Sequence, residues 1–315
     1  MSNESTASRT MATASEVSND RPEQMVPSKE IHIGFIGIGA MGLPMANNLH
    51  RAGYTVSAVD PSARQCALAQ DAGYSASDDL DDLRGSDAVI VMVANPEQLL
   101  GLVEPLSLLE NKNHRTVAIV ASTVGPRALE DFAQRMGEHG VEVIDVAVTG
   151  GVAGAERGGL TLLTGAPTEA LQRVRPLLEC LGSITNCGDR PGDGQAVKLV
   201  NNLLAAVNSA AVAEAIRFTK GLGLDPQRVL ECIEHGAAAS WMLSDRGPRM
   251  AQPREEREFR TQTAILAKDT TLIQHVAAEH GTNVPLLSIV QGQFAKALDL
   301  GWATEDDSAI VDLPL

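Results

Sequence analysis

IHIGFIGIGAMGLPMANNLHRAGYTVSAVD, residues 31 to 60, holds a short apolar run, a glycine-spaced turn, an amphipathic segment closed by Gly53, and a second apolar run ending in Asp60. Ile31–Ile36 and Thr55–Val59 read as strands with a helix between them. Gly37 permits the tight turn after the first strand, Gly39 lets a pyrophosphate approach the backbone, and Gly42 lets the helix lie close on the strand. The helix N-terminus then offers amides and a dipole to phosphates. Gly37, Ile38, Gly39, Ala40, Met41 and Gly42 are therefore candidate cofactor-binding residues. Asp60, 18 residues after Gly42, is placed to bind adenosine ribose hydroxyls and to repel a 2′-phosphate. That favours NAD, and Arg64 nearby leaves NADP possible. Asp60 also reads as an N-cap for the next helix, a role compatible with the first.

The same alternation continues along the chain. Ala88–Val93, Thr116–Ala121, Glu142–Val148, Leu160–Leu163 and Ile184–Asn186 are further strand candidates, with glycines such as Gly73 and Gly182 closing the segments between. The pattern predicts an α/β fold, a doubly wound, mainly parallel Rossmann sheet covered on both faces. After the long apolar segment that follows Gly192 no strand signal returns. Asp225-Pro226 opens one helix, and Thr261–His280 and Pro285–Leu300 read as two more, so the last third is expected to be all-helical. Pro253–Arg260 (PREEREFR) reads as a solvated loop or helix start without chemistry of its own. The expected organisation is a disordered Ser/Thr-rich tail over 1–29, a dinucleotide-binding domain over 30–192, an inter-domain helix over 193–223 and a helical substrate and oligomerisation domain over 224–315.

A chain of 315 residues, 44% apolar and 21% charged, has room for two soluble domains with real cores. Its formal charge of −15 argues against nucleic-acid backbones and anionic membranes as partners. Cys66, Cys180, Cys187 and Cys232 form no C-x-x-C, and the histidines are scattered, so no metal site is expected. The tail lacks the apolar run of a secretory signal and is too acidic for a mitochondrial presequence. The cytoplasm is the expected compartment.

Gly192–Gly223 reads GDGQAVKLVNNLLAAVNSAAVAEAIRFTKGLG. Gln195–Lys220 has no glycine or proline over 26 residues, roughly 39 Å of helix, with Asp193 placed to cap its start and Lys220-Gly221 its end. Sixteen of the 26 are apolar and fall on more than one face, which predicts neighbours nearly all round and a central position. The polar interruptions argue against a membrane crossing. Asn201 and Asn202 are poor helix formers and ask for a tertiary reason. Lys198 and Asn202, at i and i+4, share a side. They read either as a proton-transfer amine with an amide beside it, lining a cleft, or as a snorkelling lysine on a polar seam. Thr149, Gly150 and Gly151, after the strand that contains Asp145, read either as a nest of backbone amides for a carboxylate or as a glycine-rich turn.

Four segments together resemble the β-hydroxyacid dehydrogenases, the family of 3-hydroxyisobutyrate dehydrogenase and 6-phosphogluconate dehydrogenase. They are Gly37, Gly39, Met41, Gly42 and Met45; Asp145 to Ala155, with Ala147 for Pro and Thr149 for Ser; Gly192, Gly194, Lys198 and Asn202; and Lys268-Asp269. The resemblance covers about residues 30 to 312. It implies that Lys198 is the catalytic lysine, that Asn202 holds the substrate, and that Thr149, Gly150 and Gly151 bind its carboxylate. It further implies that Lys268 reaches the cofactor from the second domain and that Val93, Ala94 and Thr123 contact it. The family's K-D-L-G-L-A-L-D runs here as Lys268-Asp-Thr-Thr-Leu-Ile-Gln-His275, a departure further along that helix. A finer likeness in V93-A-N-P-E-Q98, S240-W-M-L-S-D-R-G-P-R-M250 and G301-W-A-T-E-D-D-S-A-I-V311 is to the branch of L-threonate dehydrogenases and their sugar-acid relatives. There Asp245 and Arg246 read either as contacts for extra substrate hydroxyls or as a surface turn. The implied activity is NAD(P)-dependent hydride transfer to or from a small hydroxy acid, with Lys198 as general acid/base in a cleft floored by the long helix. A homodimer or homotetramer is expected. The alternatives are an imine reductase on the same scaffold, which replaces the lysine, and a silent dinucleotide-binding scaffold protein.

Overall fold

The computed structural model describes residues 24–28, 30–108 and 116–314. One sheet is built from β1 (His32–Ile36), β2 (Thr55–Val59), β3 (Ser75–Ser77), β4 (Ala88–Val91), β5 (Val117–Val120), β6 (Glu142–Thr149), β7 (Leu160–Gly165) and β8 (Gly182–Gly188). The order is β3-β2-β1-β4-β5-β6-β7-β8, and only β6 and β7 pair antiparallel. The chain reverses direction of travel between β1 and β4, the switch point where an open α/β sheet leaves a crevice for a ligand. The helices are α1 (Gly42–Ala52), α2 (Ala63–Asp71), α3 (Pro96–Gly101), α4 (Val103–Ser107), α5 (Pro126–Glu138), α6 (Gly151–Glu156), α7 (Thr168–Glu179), α8 (Asp193–Gly221), α9 (Pro226–Ile233), α10 (Trp241–Ala251), α11 (Thr263–Glu279) and α12 (Pro285–Asp299).

Successive side chains leave a strand on opposite faces, so a sheet covered twice needs unbroken apolar runs. Ala88 and Ile90 join Ile33, Phe35 and Ile119 in one buried cluster. Val89 and Val91 join Ile36, Ala118 and Val120 in the other. β3, a Ser-Ala-Ser edge strand, has neither alternation nor a β-branched residue and was invisible to periodicity. A third cluster joins Leu199, Ala213 and Ile216 of α8 to Met250, Ile273, Phe294 and Ile310.

Among the described residues α8 is surrounded on one side only, against expectation. Gln195, Lys198, Asn202, Ala206, Ala213 and Ile216 recur on its buried face, whereas Val200, Leu204 and Phe218 are 62%, 54% and 69% exposed. Its cap position is Gly192, in the left-handed region at φ +103. Asp193 is instead the first helical residue, and its carboxylate turns back to accept from the Arg190 N–H. At the far end Gly221 stays helical and Gly223 takes φ +71. By length and hydropathy α8 would pass for a membrane span, so its polar residues are a weaker argument than they looked. What places it is packing against β6, β7, α10, α11 and α12.

Two other expectations change. Residues 1–23 of the expected tail lie outside the described residues, but Met25 is buried and its carbonyl accepts from the Tyr54 hydroxyl. Ser240–Met250 is no surface turn: it forms α10, with Ser240 Oγ accepting from the Leu243 N–H as its cap. PREEREFR is a loop with one 3-10 turn, yet its arginines are engaged, Arg254 with Glu305, Arg257 with Asp312 and Arg260 with Asp245.

Candidate active site

Gly37 turns the chain after β1 at φ +87, and a Cβ there would lie 2.3 Å from the Met92 carbonyl oxygen. At Gly42 a Cβ would lie 2.0 Å from the Gly37 oxygen, so α1 sits directly on the turn. A Cβ at Gly39 would meet nothing within 4 Å. Two glycines are closed by packing and the middle one faces open space, as a pyrophosphate against a helix N-terminus requires. Asp60 lies at the end of β2, where Oδ2 accepts from the Ile38 N–H at 2.9 Å and Oδ1 from the Ser62 N–H at 2.9 Å. It therefore does not cap α2, whose cap residue is Ser62. Its carboxylate ties the glycine loop to β2 and keeps lone pairs for ribose hydroxyls.

Lys198 enters from the polar start of the buried face of α8, only 9% exposed. Burial pushes its amine down to about 8; the Asp269 charge opposes this and Lys268 adds to it. No hydrogen bond to any of the described residues engages that amine. One turn on, Asn202 Nδ2 donates to Asp269 Oδ2 at 2.8 Å, and its Oδ1 accepts from Asn201. Asp269 Oδ1 lies 3.2 Å from Lys268 Nζ. Lys268 Nζ in turn donates across to the carbonyls of Ala94 and Thr123, each at 3.2 Å. Beside them the Val93 N–H donates to Ser122 Oγ at 2.6 Å. α8 and α11 thus bring Lys198, Asn202, Asp269 and Lys268 against the loops after β4 and β5.

Asp269 received no role from the sequence, although it stands next to Lys268 in the quoted pair. Its signal was that adjacency; its contact with Asn202 needs α8 and α11 side by side. Thr149 ends β6, and Gly150 and Gly151 follow at φ +127 and +64, opening α6. Among the described residues no hydrogen bond or ion pair joins these three to Lys198. A groove of about 1380 Å³ lies between α5 and the α11–α12 pair; it reaches Lys268 and Asn95 but not Lys198 or Thr149, so it borders this site rather than containing it.

Asp245 and Arg246 lie outside the constellation. Arg246 is buried and donates to Asp307 Oδ2 at 2.7 Å, while Asp245 pairs with Arg246, Arg249 and Arg260. Their polar atoms anchor the C-terminal turn Asp307–Asp312 to α10 and are not available to a substrate.

Residues 32–188 match the family model described as the NAD binding domain of 6-phosphogluconate dehydrogenase, and residues 192–313 the one described as NAD-binding of NADP-dependent 3-hydroxyisobutyrate dehydrogenase. The chain belongs to the β-hydroxyacid dehydrogenase family. An L-threonate dehydrogenase from Cupriavidus necator is 31% identical over 290 residues, which cover 90% of this β-hydroxyacid dehydrogenase and 95% of that protein. An NAD-dependent L-serine dehydrogenase from Pseudomonas aeruginosa is 32% identical over 290 residues, covering 89% and 97%. Among solved structures, a 3-hydroxyisobutyrate dehydrogenase from Salmonella typhimurium matches with a TM-score of 0.81 at 26% identity, covering 90% and 99% of the two chains. This β-hydroxyacid dehydrogenase is accordingly an NAD(P)-dependent oxidoreductase acting on the CH–OH group of a small hydroxy acid.

Proposed function

We propose that this enzyme interconverts a three- to five-carbon hydroxy acid of the L-threonate or L-serine kind and its carbonyl product, with NAD as the preferred cofactor. The observation that carries the reading is Lys198: a buried amine, pushed down to about 8, with no hydrogen-bond partner among the described residues. Such a group is poised for proton transfer near neutrality. The bound nicotinamide supplies the hydride chemistry. In oxidation neutral Lys198 takes the substrate hydroxyl proton. In reduction its ammonium form stabilises the developing alkoxide and returns the proton. Asn202 steadies the substrate one turn away, and Asp269 keeps the charge of the lysine pair balanced. The Thr149, Gly150 and Gly151 amides hold the carboxylate. Gly37 to Gly42, Asp60, Val93, Ala94, Thr123 and Lys268 hold the dinucleotide, and the Asp60 side chain beside Ile38 disfavours a 2′-phosphate there.

The reading includes domain boundaries at 30–192, 193–223 and 224–315, a cytoplasmic location and a homo-oligomer formed on the bare side of α8. A spectrophotometric scan for NADH production over C3–C5 hydroxy acids tests it. Turnover by the wild type, with Lys198→Ala inactive yet still binding NADH, is expected. Full activity in Lys198→Ala refutes the lysine's role.

A further inference from the structure

Gln195 has no part in the reading above, yet it is fully buried and bonded at both ends of its amide. Oε1 accepts from the N–H groups of Val124 and Gly125 at 3.0 and 3.1 Å. Nε2 donates to the Ser122 carbonyl at 2.9 Å and to Asp145 Oδ1 at 3.2 Å. The Gln195 backbone N–H donates to Asp145 Oδ2 at 3.0 Å, which also accepts from the Gly192 N–H at 3.1 Å. Residues on both sides of Thr123 are thereby pinned to one side chain of α8, a single helical turn before Lys198.

The amide has one permitted orientation. Reversed, its nitrogen would face the two N–H donors of Val124 and Gly125, and its oxygen would face the Ser122 carbonyl and the Asp145 carboxylate. Asp145 enforces that choice: burial pushes its carboxyl up to about 6 against the bonds it accepts from Gln195 and Gly192, and above that pH it is a carboxylate that only accepts. Gly194 allows the approach: a Cβ there would lie 2.4 Å from the Leu163 carbonyl oxygen and 2.9 Å from Asp145 Oδ2. A fully satisfied buried network of this kind rigidifies what it joins. It joins the loop that presents Thr123 to the helix that presents the amine. Leu199, Ala206, Ala213 and Ile216 anchor α8 to the C-terminal helices through an apolar face, an attachment that does not involve Gln195.

We propose that Gln195 is a positioning residue, oriented by Asp145, that fixes the register between the cofactor loop Ser122–Gly125 and Lys198. The proposal rests on the roles given above to Thr123 and Lys198. Slippage of about 1 Å between a reacting group and its partner can cost on the order of 10²-fold in rate.

The test compares wild type with Gln195→Met, which keeps the length and removes all four side-chain bonds. Hydrogen exchange at Val124 and Gly125, NADH affinity by fluorescence, and kcat and KM on the best acid from the scan are read together. We expect faster exchange at both amides, NADH affinity weakened about tenfold, and kcat lowered on the order of 10²-fold with KM for the acid within about threefold. Unchanged exchange, or unchanged NADH affinity and kcat alongside a lowered thermal midpoint, overturns the proposal, the second outcome marking a packing role. Should Gln195→Met fail to fold, Gln195→Glu keeps the acceptor and loses the donors; wild-type kcat and NADH affinity in that variant overturn the proposal as well. If the wild type turns over no hydroxy acid, the functional reading fails on its own, and exchange with NADH affinity, which need no turnover, decide the role of Gln195.

Discussion

Lys198 is where the chemistry and the cost of burial meet. An exposed lysine titrates near ~10.4, and burial brings this one to about 8. In the proposed mechanism oxidation uses the neutral amine, so its rate should rise with pH through about 8 and level off above; reduction uses the ammonium form and should fall over the same range. Profiles of kcat in both directions check this, and flat curves from pH 6 to 10 would contradict it. The stability sign follows from the same shift. Between about 8 and 10.4 the unfolded chain holds a proton that the folded chain does not, so stability rises with pH across that window. The burial cost is fully present below it. Lys198→Met should therefore raise the thermal midpoint at pH 7 by a few degrees while removing turnover, as read by calorimetry beside the assay. Lys198 and Asn202 were legible as a pair from their i, i+4 spacing. Asp269, which holds Asn202 and counters two lysines, was not, because the contact spans 67 residues of chain.

At the scale of elements, α10 is the instructive case. Gly247-Pro248 in its middle looks like a turn, yet the helix continues through both. At Gly247 a Cβ would stand 3.0 Å from a Leu230 methyl of α9, so any side chain there would have to displace it. From this helix Arg246 and Arg249 reach Asp307 and Asp306, and all four side chains are buried. Removing one partner of a buried pair strands the other charge, so Arg246→Ala should destabilise by about 3–5 kcal/mol in denaturant unfolding. A change below about 1 kcal/mol would show that the pair is solvated in solution. Composition marked these residues as polar and surface-seeking. Their burial depends on α10 meeting the C-terminal turn, which no local period encodes.

For the whole molecule, the exposed side of α8 is the surface on which the proposed assembly would form. Val197, Leu204, Ala211 and Phe218 stand seven residues apart and are all exposed. A stripe of this kind on a 29-residue helix is suited to a second copy of the chain. Leu204→Glu with Phe218→Glu should leave a monomer by light scattering where the wild type is a dimer or larger. A monomeric wild type at micromolar concentration would remove the assembly from the proposal.

Apart from β3 and α10, the main order of strands and helices, the glycine turn, the long helix and the Lys198–Asn202 pair follow from residues within a few turns of one another, because backbone geometry sets a period of 2 or 3.6 and the chain alone can display it. The bare side of α8, the Lys268 bridge to Ala94 and Thr123, the Gln195–Asp145 link and the burial of Arg246 do not. They arise from groups distant in the chain and close in space, and desolvation and charge act through space, so the folded arrangement settles them.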